Sequence, residues 1–283
     1  MARPAIAPIL DPDLPEFCAF LHTHLNRAIQ PDEWARTFTQ PWGQEKPNNG
    51  FMLRDPDGAL LGGIGAVYAR RTIRDRRERF CNITSWCVLE PYRSHSLGLA
   101  IALLSQDGFH FTDLTPTPVV AGTLAFLKFK SMDGRETVIL NMPWWTPGID
   151  VITDLDAIAR VLPPEHAAVF EDHRHVEWFR HIVVGKPQAY CHVAYKPGIL
   201  KHMPSAVIVH VSDYELFLRY QPRLGAYFLR HGMVTARIES RFLPRRPVLS
   251  AQVSGYHNKM FRSETLGEAD VTNFYSELAG LNI

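Results

Sequence analysis

Four cysteines in 283 residues, at Cys18, Cys81, Cys87 and Cys191, form no C-x-x-C pair and no dense framework. That excludes a disulfide scaffold and a cysteine-rich zinc module, and leaves reduced, buried thiols as the simple reading. Long apolar runs are also missing. LGLAIALL, from Leu97, is far too short to cross a bilayer, so no membrane association is expected. The N-terminal MARPAIAPILDPDLPEF lacks an apolar core and carries Asp11 and Asp13, so it does not read as a secretory leader; a cytoplasmic protein is expected. There is no excess of either charge, with 30 Lys and Arg against 29 Asp and Glu, so no global field draws the chain to nucleic acid. No HExxH motif occurs, and no metal is expected.

What is present is an ordinary globular composition, 46% apolar and 21% charged. The periodicity predicts a helix from Leu14 to Ile29, a hairpin across Phe51 to Ala69 turning at Pro56-Asp57-Gly58, and a strand from Asn82 to Leu89. Pro91 ends that strand, and a helix is predicted from Ser96 to Phe109. Helix-compatible spacing at Val120 to Phe129 precedes a turn and strand in SMDGRETVIL. A soft boundary falls near Gly148, dividing 1–148 from 149–283. Beyond it, AYCHVAYK, SAVIVHVSD and MVTARIESRFL read as strands, YELFLRYQPRLGAYFLRHG as helix, and EADVTNFYSELAGL as a closing helix.

The informative stretch is VLEPYRSHSLGLAIALL, Val88 to Leu104. A helix that begins after a strand exposes first-turn amides at its positive end, which suits phosphate oxygens. Arg93 adds a guanidinium, and Ser94, Ser96 and Gly98 keep the approach narrow-bodied. The same residues also serve an ordinary helix start, where serine caps free amides.

Arg93-Ser94-His95-Ser96-Leu97-Gly98 resembles the Arg/Gln-x-x-Gly-x-Gly/Ala motif of the GNAT acetyltransferase superfamily, with Ser96 where the first motif glycine usually stands. The flanking ITSWCVLEPYR and LAIALL resemble the family's strand and helix, and the likeness runs from about Leu14 to Asn141. The resemblance implies an α/β fold with a central mixed sheet flanked by helices, extended by a C-terminal α/β region that would be a degenerate second unit forming the acceptor cleft. It implies acetyl-CoA or another acyl-CoA as co-substrate and an N-acyltransferase acting on a small-molecule or peptide amine. Val88, Leu89, Arg93, Ser94, His95, Ser96, Leu97, Gly98 and Leu99 would then hold the coenzyme. A homodimer is left open.

The family often places a tyrosine on the helix before its last core strand as the acid. Here that region, GTLAFLKFKS, offers Phe126 and Phe129 but no tyrosine, leaving Ser131 or water; Glu90, His95 or a group from the C-terminal half are candidate bases. A noncatalytic binding module on the same scaffold is the alternative. The basic run Arg70 to Arg79 reads chiefly as a solvated hairpin, with anionic ligand or RNA contact as rivals. On one continuous helix His173, Glu177 and His181 would share a face, though a polar face explains them as well as a metal does. Met142, Trp144 and Trp145 are candidate cleft residues or core; Cys87 reads as a buried thiol; Tyr256, His257 and Lys259 form a polar cluster.

Overall fold

The computed structural model describes residues 3–43, 45–255 and 258–282. The chain makes two compact units, Met1–Met132 with His257–Ile283, and Asp133–Tyr256. Gly148 lies inside the second of these, and Tyr256 and His257 lie outside the described residues.

The first unit runs β1 (Ala5–Pro8), α1 (Leu14–His24), α2 (Pro31–Phe38), β2 (Gly50–Arg54), β3 (Leu60–Ile73), β4 (Arg76–Val88), α3 (Ser96–Leu104), β5 (His110–Asp113), α4 (Pro118–Phe126) and β6 (Lys130–Ser131). The second holds β7 (Glu136–Leu140), β8 (Asp150–Ile152), α5 (Leu155–Val161), α6 (Pro164–His173), β9 (Arg180–Lys186), β10 (Ala189–Leu200), β11 (Met203–Val211), α7 (Tyr214–Arg230), β12 (Thr235–Glu239) and β13 (Ser250–Val253). The chain then returns to the first unit with β14 (Met260–Arg262) and the short α8 (Glu277–Gly280).

The first sheet has the order β1-β2-β3-β4-β5-β14-β6 and the second β13-β7-β12-β11-β10-β9-β8. Read from β1 and from β8, both sheets comprise four antiparallel strands and then a parallel fifth, β4 beside β5 and β11 beside β12. In each, the helix between those two strands is the crossover that parallel pairing requires. β14 completes the first sheet by pairing with β5 and β6.

The long β3–β4 hairpin turns on Arg74 (φ 50°) and Asp75 (φ 64°), the doubled positive φ that a two-residue loop needs to follow strand twist. Its basic side chains are largely engaged. Arg70 pairs with Glu45, Arg74 with Asp270 at 2.9 Å, and Arg79 lies 3.9 Å over Phe109. The hairpin expected from the sequence is present, with Arg70, Arg74, Arg76 and Arg77 exposed. The first core joins Cys81 and Ile83 of β4 to Leu99 and Leu103 of α3 and Leu124 of α4; the second gathers β9–β12 under Phe217, Tyr220, Leu224 and Phe228 of α7.

Several predicted elements change. The first helix stops at His24, five residues early. The expected closing helix is instead two 3-10 turns, Glu268–Asp270 and Asn273–Tyr275, followed by the single-turn α8. The continuous helix over Glu171 to His181 does not exist, because α6 ends at His173 and His181 belongs to β9. Helical spacing there was accidental, and no group of three or more potential metal ligands occurs among the described residues.

Candidate functional site

The site is built where β4 leaves β5. These strands pair only from Phe80↔His110 to Asn82↔Thr112, while β4 continues to Val88. The divergence has a local cause. Between the pairs Gly63↔Cys87 and Gly65↔Thr84, β4 carries one more residue than β3, and Ser85 takes φ 53°. Such a bulge bends its strand and sharpens the twist. The β5-facing edge of β4 from Ile83 to Val88 therefore has no strand partner. On the α3 side, the indole of Trp86 packs with the core, yet its Nε1 is buried without an acceptor.

The opposite face of the fork is polar and closed by the C-terminal segment. Thr112 Oγ1 donates to Asn82 Oδ1 at 2.9 Å, Asn82 Nδ2 donates to a Glu277 carboxylate oxygen, and Thr115 Oγ1 donates to Glu277 Oε1 at 2.8 Å. Asp113 accepts from the Thr115 amide at 3.2 Å. Glu277 and Asp113 are both buried. Burial is the main force raising both carboxyls and takes Asp113 well above 3.8, with the charge of Glu277 adding to it. Repulsion inside a low-dielectric pocket favours the pair holding a proton. Glu277 is held there by α8, which lies so close to α2 that a Cβ on Gly280 would come 3.0 Å from Thr37.

The turn after β4 is tighter than the sequence implies. Glu90–His95 form a 3-10 helix that runs into α3. The Leu89 amide bonds to Leu61 at 2.9 Å, the Tyr92 amide to Leu89 at 2.9 Å, and the Ser96 amide to Arg93. Several amides that a bare helix start would expose are thus taken up locally. Neither helix has a side-chain cap, and α3 has no acidic residue in its first turn. By contrast, the Asp213 carboxylate caps α7 by accepting from the Leu216 amide at 2.8 Å, which sets a negative charge against any anion there.

The sequence-predicted residues divide accordingly. Val88 and Leu89 stand at the open end of β4 and are half-buried. Arg93, Ser94 and Leu97 are exposed around the turn, and His95 and Ser96 are half-buried. Gly98 faces β1: a Cβ there would meet Ile6 Cδ1 at 2.9 Å. Leu99 is fully buried in the core. The Glu90 side chain is 84% exposed, with Arg93 3.9 Å away. Ser131 is exposed on edge strand β6, beyond β5 and β14, and is not brought to the fork. Phe126 is exposed and Phe129 buried. The Cys87 thiol is half-buried, and burial raises its pKa, as expected of an unreactive thiol. Glu277 was missed because it lies 195 residues from its partner Asn82. Its only sequence signal was a carboxylate inside an apolar stretch.

No family model matches the chain, and neither does any curated protein. Solved structures do match. A GCN5-related N-acetyltransferase from Anabaena variabilis is 10% identical, with 92% of this chain and 72% of that one covered at a TM-score of 0.61. One from Kribbella flavida is 11% identical over 92% and 70% of the two chains, at 0.56. Eis1 from Mycobacterium abscessus is 12% identical over 92% and 73%, at 0.50. At such identities the likeness establishes the fold: mixed α/β, with central sheets flanked by helices and a further C-terminal α/β region, in the GNAT-like arrangement.

Proposed function

We propose that the chain is an acyl-CoA-dependent N-acyltransferase, with acetyl-CoA as donor and a small-molecule or peptide amine as acceptor. The observation that carries this reading is the fork, where six residues of β4 present an unpaired main-chain edge beside an orphaned indole N–H. An amide-bearing pantetheine arm would pair with that edge as a strand does, with Trp86 Nε1 supplying a donor. Arg93 and His95 would meet the diphosphate, with contributions from Ser94, Ser96 and the helix end. The coenzyme supplies an activated thioester; the chain supplies placement, worth roughly 7–11 kcal/mol in favourable cases.

Proton removal from the amine falls to Glu277 in this reading. Its carboxyl is raised by burial toward the working range of a base, and it stands at the fork, unlike exposed Glu90. Glu90 is the second candidate. No side chain of this chain is assigned as the acid, since Ser131 is remote, so water would protonate the thiolate. The chain would act as a cytoplasmic protein; among the described residues no helix is long and apolar enough to cross a membrane. The locally closed amides of the 90–96 turn favour the second reading, a ligand-binding module without turnover.

Calorimetric titration with coenzyme A tests the first step, and thiol release from acetyl-CoA across an amine panel tests the second. Binding weakened about 10-fold or more by Arg93→Ala, the loss of one charged hydrogen bond, supports the site. No binding at millimolar coenzyme removes the proposal, and binding without turnover selects the module.

A further inference from the structure

The second unit carries a cavity of about 530 Å³, lined in part by the candidate cleft residues Trp144 and Trp145, that the proposed coenzyme site at the fork does not use. One wall is the β7–β8 connection, with Trp144, Trp145 and Thr146; the other is α7, with Arg223, Ala226 and Arg230. The connection is anchored where Asn141 Nδ2 donates to the Met233 carbonyl at 2.9 Å, and it turns at Gly148, φ +69°. It nevertheless leaves Trp144 50% and Trp145 88% exposed. Two large indoles standing in water are unfavourable unless something covers them.

The arginines sharpen the case. No acidic side chain lines the cavity, and neither Arg223 nor Arg230 has an ion pair or hydrogen-bonding partner among the described residues. Arg223 Nε is buried without an acceptor, and so is Thr146 Oγ1 in the facing wall. A buried, unpaired guanidinium N–H is costly, and an anion would satisfy it with a charge-assisted bond. Arg230 lies seven residues on, hence on the same side of α7. The neighbouring groove of about 340 Å³ shares Trp144 but differs in this respect. Its Arg245 is paired with Glu215 at 2.6 Å, and its Arg246 donates to the Ser250 carbonyl at 2.5 Å.

We propose that this cavity binds a small organic anion with a flat apolar body, its ring against the indoles and its phosphate or carboxylate on Arg223 and Arg230. The volume suits a small-molecule site, and aromatic surface with a few convergent polar groups is how such sites select. The assignment stands apart from the fork and does not require acyl transfer.

The test is calorimetry on the full chain with three probes: 1-naphthyl phosphate, 1-naphthalenemethanol and inorganic phosphate. The phosphate ester is expected to bind one per chain and at least 10-fold more tightly than either part. Arg223→Gln with Arg230→Gln should weaken the ester at least 10-fold and leave the alcohol unchanged. Trp144→Ala should weaken ester and alcohol alike. If Arg223→Gln disturbs folding by circular dichroism, exposed Arg230→Gln alone should still weaken the ester severalfold. Equal affinity for ester and alcohol, or unaltered ester binding in these variants, overturns the proposal.

Discussion

Acidification should loosen the second unit through a pair of stacked, buried histidines. His181 and His192 lie ring on ring, with centroids 5.3 Å apart and planes 15° from parallel, and His181 Nδ1 is 3.0 Å from His192 Nε2. Phe170 meets both rings edge-on, and His210 lies 5.4 Å from His192. Burial lowers His181 from 6.5 to about 4, and burial with help from the surrounding histidines lowers His192 well below 6.5. A depressed folded pKa means that the unfolded chain binds the proton first. Stability is therefore complete above 6.5 and is lost as pH falls toward about 4. At about 1.4 kcal/mol for each pH unit, His181 alone removes about 3 kcal/mol across that window, a large share of ordinary domain stability. Urea unfolding at steps from pH 7.5 to 4 would measure this in the native chain and in His181→Leu/His192→Leu. Replacing both rings leaves no orphaned partner from their shared bond. The double variant should lose at least about 3 kcal/mol less than the native chain over this range, since His192 adds a loss of the same sign. Parallel loss in the two proteins would refute the reasoning.

Three further outcomes are expected. Glu277→Gln should lower turnover at least 100-fold while coenzyme affinity holds within about twofold, as removal of a general base does; equal losses in both would assign Glu277 to structure. Asp113→Asn keeps an acceptor for the Thr115 amide but removes a carboxyl whose folded pKa is raised. The native group's favourable contribution is present below 3.8 and is lost as pH rises through the folded value, so the variant's melting advantage should grow across that window and level off above it. A melting difference independent of pH would count against the buried pair. Gly50→Ala should destabilise by about 3 kcal/mol or more in urea, because Gly50 has φ +115° and its Cβ would lie 2.0 Å from the Ile64 carbonyl oxygen.

Local pattern revealed much of this molecule and none of its long-range closures. Alternation and the proline at 91 marked β4, and helix-forming residues after Ser96 marked α3. The bulge at Ser85 was silent, because a serine with positive φ carries no glycine signature. Without the bulge the fork has no visible cause. The 3-10 turn at Glu90–His95 was hidden for a related reason: Pro91 reads as a strand stop but equally suits the first turn of a helix. His181 looked like part of a helical face because four-residue steps from His173 are indistinguishable on paper from a helix end followed by a strand. Its true neighbour, His192, comes from strand pairing. The expectations at Trp144 and Trp145 left pocket and core open, and their exposure decides against core.

The three residues of β14 have a consequence for synthesis. A ribosome delivers β5 and β6 more than a hundred residues before Met260–Arg262 arrives to lie between them. Until then a nascent chain holds β5 as a bare edge, a template for pairing with other extended polypeptide. Chains halted in that interval should be unusually dependent on chaperones, and the arrival of β14 is the latch that ends that dependence.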